Sequence, residues 1–259
     1  MKRIVLALVV ILLSIVVNAQ PINAGKKFQA IAAVKTNTTV NQMGTEMEIP
    51  ANGTINTDFE VKSVSGKTVV FIVTLKRISG GVTLMGNEQN FDSADSATAA
   101  NPQLAEALKD INKPKEVTVE SGSIALPIDI SGTPSGEDIA HYLLIPVNTA
   151  TVKEGFAWSD SSSTTEGSKS VNNYTVTKVS KEELVVTAIN NNKTITTKQQ
   201  MGMEVKVNMD GASTSVLTYD VASGILKNVA TTFSASGNNE VMGNQIPVST
   251  KGTATVTIK

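Results

Sequence analysis

The side chains able to do chemistry are few and poorly placed for it. The chain holds one histidine, His141, and no cysteine. General acid–base work needs an oriented partner beside the imidazole, and Tyr142-Leu143-Leu144-Ile145 follows instead, which reads as the edge of an apolar strand. Zinc and copper sites draw on several histidines or thiolates, so neither metal is expected. Asp92-Ser93-Ala94-Asp95-Ser96 has the acidic spacing of a calcium loop but lacks its glycine and distal glutamate, and reads as a solvated turn. With no catalytic residue, metal or cofactor indicated, a non-enzymatic protein is expected.

A different pattern does recur. Met43-Gly44-Thr45-Glu46, Met85-Gly86-Asn87-Glu88, Met201-Gly202-Met203-Glu204 and Met242-Gly243-Asn244-Gln245 are four copies of one phrase. The first pair maps onto the second with shifts of 158 and 157 residues, and residues 35–66 match 193–224 without a gap at eleven positions. The chain therefore reads as a duplication, with pseudo-repeats over about residues 25–130 and 150–259. Methionine is a flexible filler of irregular or promiscuous apolar sites. Met43, Met47, Met85, Met201 and Met203 are either ordinary core or the lining of a cleft for an apolar ligand such as a lipid.

Residues 1–19 open with Lys2-Arg3, run apolar from Ile4 to Val17 and close on Val17-Asn18-Ala19, the form of a secretory signal peptide. The apolar run is shorter than the ~20 residues of a spanning helix. An exported chain beginning at Gln20, periplasmic or extracellular, with no membrane span in its mature form, is expected. Without Lys2 and Arg3 the counts are 20 basic and 23 acidic residues, a net charge of −3. With no basic cluster, binding to nucleic acid or to an anionic lipid surface is not expected. Residues 20–259 fit one large all-β domain.

The elements around the phrases follow the period-two rule of half-buried strands. Met43, Thr45, Met47 and Ile49 alternate with polar neighbours, and so do Met201, Met203, Val205 and Val207. Thr57–Val64 and Thr68–Leu75 form a hairpin across Ser65-Gly66-Lys67, answered by Tyr174–Ser180 and Leu184-Val185-Val186. Asn52-Gly53, Asp210-Gly211, Gly237-Asn238-Asn239 and Lys251-Gly252 read as turns, and the Ser/Thr-rich stretch from Ser159 to Ser170 as a mobile loop. A helix is expected over about 101–113, with Asn101 as N-cap, Pro102 in the first turn and an apolar stripe of Leu104, Leu108 and Ile111. A shorter helix between Pro134 and Tyr142 has weaker signals. The fold class is mainly β: antiparallel meanders from two pseudo-repeats, forming a curved sheet or half-barrel, or two packed sheets, with the 101–113 helix as cover.

Several short motifs resemble a group of uncharacterised exported proteins of Bacteroidetes-type Gram-negative bacteria, a domain-of-unknown-function family. They are Asn18-Ala19-Gln20, Gly155-x-x-Trp158, Tyr174-x-Val176-x-x-Val179, Phe91-Asp92-Ser93 and Asp220-x-x-Ser223-Gly224-x-Leu226. The order meander, helix, meander is also distantly similar to the half-barrels of periplasmic lipoprotein and lipid carriers. The motifs of the resemblance are structural and bring no active residues; the methionine face under a helical cover leads to the expectation of a cell-envelope protein binding an apolar molecule or lipid in a cleft between sheet and helix, or else a structural or protein-interaction module with a filled core. Asp92-Ser93-Ala94 and Asp95-Ser96-Ala97 look like the O-glycosylation acceptors of some exported Bacteroidetes proteins, making Ser93 and Ser96 candidate modification sites.

Overall fold

A computed structural model describes residues 22–42, 44–99, 108–121, 124, 134–200 and 203–259. In chain order the strands are β1 (Lys27–Gln42), β2 (Thr45–Ser65), β3 (Thr68–Leu84), β4 (Asn87–Asp92), β5 (Pro114–Glu120), β6 (Ala157–Ser163), β7 (Lys169–Val179), β8 (Glu183–Gln200), β9 (Met203–Asp220), β10 (Ile225–Val241) and β11 (Asn244–Ile258). The described helices are α1 (Ser96–Ala99) and α2 (Gly136–Tyr142). All eleven strands form one antiparallel sheet in the order β4-β3-β2-β1-β11-β10-β9-β8-β7-β6, with β5 beside the first half of β3. The sheet is open: β6 forms one edge, and β4 and β5 share the other. β1 and β11 meet in its middle, with Ala30 opposite Ile258 and Val40 opposite Val248.

Alternation decides which face is inner. Phe59 and Val61 of β2, Phe71 of β3, Val186 of β8 and Leu217 of β9 are buried on the same face as Ala30 and Ala32 of β1. The two outer flanks begin alike. Gly25 donates its N–H to the Val61 carbonyl at 2.7 Å and Phe28 stacks on Phe59 at 5.3 Å. Gly155 donates to the Val176 carbonyl at 2.8 Å and Trp158 stacks on Tyr174 at 4.9 Å.

The helix α2 shows that the sheet is curved. Ser135 caps it, accepting from the Asp138 N–H at 3.2 Å while the Asp138 carboxylate accepts from the Ser135 N–H at 2.9 Å. Its start lies on β2 and β3, so close that a Cβ on Gly136 would stand 2.6 Å from a Thr57 methyl and 2.7 Å from one of Val73. Its end reaches β9, where the Tyr219 hydroxyl donates to the Tyr142 carbonyl at 3.0 Å. On a flat sheet β3 and β9 would be about 24 Å apart, five steps of about 4.8 Å, while Gly136 to Tyr142 rises only about 9 Å. The strands must therefore wrap around α2. Ile139, Ala140, Tyr142, Leu143 and Leu144 fill the space so enclosed, and Leu143 and Leu144 pair with β10.

Several expectations change. One sheet is present, not two packed ones. Residues 100–107, most of the expected 101–113 helix, lie outside the described residues. Leu108 and Ile111 are half-buried, with residues 109–112 in turns. The described helix on the inner face is α2, the one with the weaker sequence signals. His141 belongs to it, exposed in its last turn rather than at a strand edge. The stretch Ser159–Ser170 is largely an edge hairpin, β6 and β7 pairing from Ala157–Thr175 to Ser163–Lys169.

Asn52-Gly53, Asp210-Gly211, Gly237-Asn238-Asn239 and Lys251-Gly252 run through strands instead of turning. The reason is close packing rather than reversal of direction. A Cβ on Gly237 would fall 2.0 Å from the Asn208 carbonyl oxygen, and one on Gly252 2.7 Å from the Phe233 ring. Both glycines let long strands bend tightly against a neighbour.

Because α2 holds the curl, Ile139→Ala is expected to destabilise the protein by about 2–5 kcal/mol. Val207→Ala, at a half-exposed position of the same face, should have a much smaller effect. Urea midpoints of the two variants, compared with wild type, test this ranking.

Candidate functional site

Along the strands the inner face changes character in three bands. The first is the apolar core under α2. The second is polar and belongs mainly to β6–β9. Asn172 donates to the Asp160 carboxylate at 2.7 Å, and Asn190 donates to the Ser170 hydroxyl at 2.7 Å and the Asn172 carbonyl oxygen at 2.5 Å. Asn190 is fully buried, yet its Oδ1 has no hydrogen-bond partner. Such an acceptor costs about 1–3 kcal/mol when left dry. Burial, with the nearby Asp160 carboxylate, pushes the Tyr174 phenol well above its ordinary range, so it stays a neutral donor.

The third band lies beyond the reach of α2. Val40 stands opposite Met47 on one side and Val248 on the other. Ile49 follows two residues along β2, and Val207 and Met209 occupy the same face of β9. These side chains are half-buried, while the alternate positions Glu48, Pro50, Asn208, Asp210 and Ser249 are exposed. The face is thus amphiphilic along its length: a buried polar ladder beside an apolar trough that no described residue covers.

Of the methionines singled out in the sequence, Met47 lies in that trough. Met85 does not; it is 85% exposed in the turn joining β3 to β4. Met43 and Met201 are outside the described residues, as is the side chain of Met203 at the start of β9. The expected strand placement of Met85-Gly86 and Met242-Gly243 is corrected by their backbones. Met85 and Met242 have φ of 49° and 51°, followed by Gly86 and Gly243 at 79° and 80°. Two successive positive φ values are the mark of a type I′ hairpin turn, where Asn-Gly or Asp-Gly is preferred. A methionine there carries a penalty of about 1–2 kcal/mol. The ends of β1 and β2 are also paired, Gln42 facing Thr45, as are those of β8 and β9, Gln200 facing Met203. Since the strands alternate in direction, all four connections lie at one end of the sheet, next to the apolar trough.

The trough residues Val40, Val207, Ile246 and Val248 were not among the sequence candidates. Ile246-x-Val248 and Val205-x-Val207-x-Met209 carried the signal, which was cut short by reading nearby glycines as turns.

The acidic step lies elsewhere, at the β4 edge. Arg77 makes a two-pronged pair with Asp92, one prong at 2.9 Å, and Asp92 also accepts from the Ala94 N–H at 3.0 Å. The guanidinium lowers the Asp92 pKa to about 2. The Ser93 hydroxyl accepts from the Ile78 N–H at 3.0 Å, whereas Ser96, the first residue of α1, is exposed. Among the described residues no cluster of three or more His, Asp or Glu is placed to hold a metal ion, and no helix is long and apolar enough to cross a membrane.

No family model matches the chain, and no curated protein matches it. The motif resemblance to the Bacteroidetes group therefore rests on sequence alone. Among solved structures, one described as "lipid-protein interactions in lipovitellin" aligns over 93% of this chain with a TM-score of 0.50 and 11% identity. The likeness is one of fold. This chain spans 25% of that one. An outer membrane channel from Pseudomonas putida F1 covers 92% of this chain and 97% of its own, at TM-score 0.30 and 7% identity. A DUF1329 family protein from Desulfovibrio piger covers 86% and 83%, at 0.14 and 7%.

Two outcomes follow from these contacts. Asn172→Leu removes one acceptor of the buried Asn190 amide and should destabilise by about 1–3 kcal/mol in urea titrations. For Asp92 the folded pKa is depressed, so its contribution to stability is present above the unfolded value near 3.8 and fades as pH falls toward about 2. Arg77→Gln should flatten the acid-side loss of stability between pH 4 and pH 2, measured by thermal melts across that window.

Proposed function

We propose that the protein is an exported, non-catalytic binder of a lipid-like amphiphile, held on the inner face of the curved sheet. The observation that carries this reading is the half-buried band of Val40, Met47, Ile49, Val207, Met209 and Val248, left without cover by the described residues, beside a buried polar ladder. An acyl chain laid in the trough would remove apolar surface from water at about 25 cal/mol for each Å². A polar head at the ladder would find the Asn190 Oδ1 that lacks a partner and the neutral Tyr174 hydroxyl. The lipovitellin-like fold, from a protein described by its interactions with lipid, is in keeping with this reading, as is the signal-like leader of the sequence.

A second reading has its own observation. Val171, Ile189 and Val216 are 46%, 49% and 39% exposed on the outer face near the open β6 edge, which suits an envelope-protein partner more than a ligand. One titration separates the two. An environment-sensitive apolar fluorophore should bind wild type, and Met47→Glu and Val248→Glu should each weaken that binding at least tenfold while the fold persists. Unfolding of both variants instead, the expected result of an unpaired charge in a closed core, would support the filled-core reading. Absence of fluorophore binding by wild type would remove the carrier reading outright.

A further inference from the structure

The four Met-Gly connections form a row that the trough alone does not explain. They join β3 to β4, β1 to β2, β10 to β11 and β8 to β9, and these pairs lie side by side in the sheet. Successive tips are therefore two strands apart, about 10 Å, and the row extends for about 30 Å. Met85 and Met242 are 85% and 82% exposed at its described points. Each sits at a left-handed backbone position where asparagine would be more favourable. At both described points the sequence thus keeps a protruding apolar side chain at a position that disfavours it.

We propose that this end of the sheet is the surface by which the protein touches a neutral phospholipid bilayer, with the turn methionines dipping into the headgroup layer. Three features select that occupant. The points are separate and about 10 Å apart, too sparse for the ~1,200–2,000 Å² of packed contact that a stable protein interface buries. A fluid headgroup layer needs no such complementary surface, and flexible thioethers suit it. The charges beside the tips are mostly acidic: Glu46, Glu88 and Glu204 are exposed, and Glu240 pairs with Lys206 at 3.4 Å. Anionic lipid would be repelled, so a zwitterionic surface fits. The trough opens at this same end, with Val40, Met47 and Ile246 within four residues of the turns. An amphiphile could therefore pass between bilayer and trough without crossing the polar ladder. This inference adds a membrane-facing end to the binder proposed above, and rests on that reading only for what is carried.

The test is flotation of the purified protein with phosphatidylcholine vesicles, comparing wild type with Met85→Asn/Met242→Asn. Asparagine suits a positive φ, so the double variant should melt at or above the wild-type temperature. It should bind the soluble fluorophore unchanged, because neither residue lies in the trough. Flotation should drop about tenfold or more, in line with the loss of inserted apolar surface. Replacing half of the phosphatidylcholine by phosphatidylglycerol should weaken wild-type flotation further, with recovery in salt. Equal flotation of the variant, no flotation of wild type, or stronger binding to phosphatidylglycerol would overturn the proposal. If the fluorophore fails to bind but flotation still depends on the methionines, the trough reading falls and the membrane contact stands. Met85→Gly/Met242→Gly repeats the comparison with the other residue type that tolerates these turns, separating the loss of the thioether from any effect of asparagine.

Discussion

The architecture depends on one bridging contact. A two-turn helix of seven residues, capped at Ser135, is held at one end by β2 and β3 and at the other by the Tyr219 hydroxyl on its last carbonyl. Strands that would be about 24 Å apart when flat are thereby drawn around it. Burial pushes the phenols of both Tyr142 and Tyr219 well upward, so both remain neutral in this dry interior. Without the helix, the inner face would be a broad apolar sheet open to water. With it, one end is a filled core, and the other keeps half-buried apolar side chains that no described residue covers.

That division arises because the strands are much longer than the helix they enclose. Seven strands run 15 to 21 residues, about three times the usual five or six. Residues 57–61 of β2 reach the core, while residues 47–51 of the same strand extend past it. The face is continuous, but its environment changes along it, and the polar ladder marks the change. Among its side chains, Asn190 has donors fully used and an acceptor unused. An unused acceptor therefore sits buried within the ladder, where the inner face passes from core to trough.

The sequence announced the β class and the hairpin around Ser65-Gly66, because each rests on local spacing, and it marked the short helix between Pro134 and Tyr142 only weakly. The stacking of Phe28 on Phe59 and of Trp158 on Tyr174 was not foreseen, because each pair joins neighbouring strands. Nor was the trough. Its strands are interrupted by glycines whose role is to admit Asn208, Phe233 and similar neighbours from across the sheet, and such contacts leave no mark in the glycine's own surroundings. The Met-Gly phrases misled for a related reason. Their flanks alternate like strand, and methionine is an unusual choice for a type I′ turn, so propensity pointed away from the conformation that pairing of Leu84 with Asn87 and Val241 with Asn244 imposes.

The seam between β1 and β11 has a kinetic meaning. Ala30 finds its partner in Ile258, more than two hundred residues later, whereas each neighbouring hairpin closes over a two-residue connection or a short turn. The hairpins can form early and locally, but the central pairing must await the far end of the chain and the entropy of closing so large a loop. Until then β1 presents the bare edge of a five-stranded half-sheet, a template for any other extended segment. The slowest step of folding therefore leaves the most adhesive surface of the molecule exposed, and a chain that crosses a membrane before folding would meet that hazard on the far side.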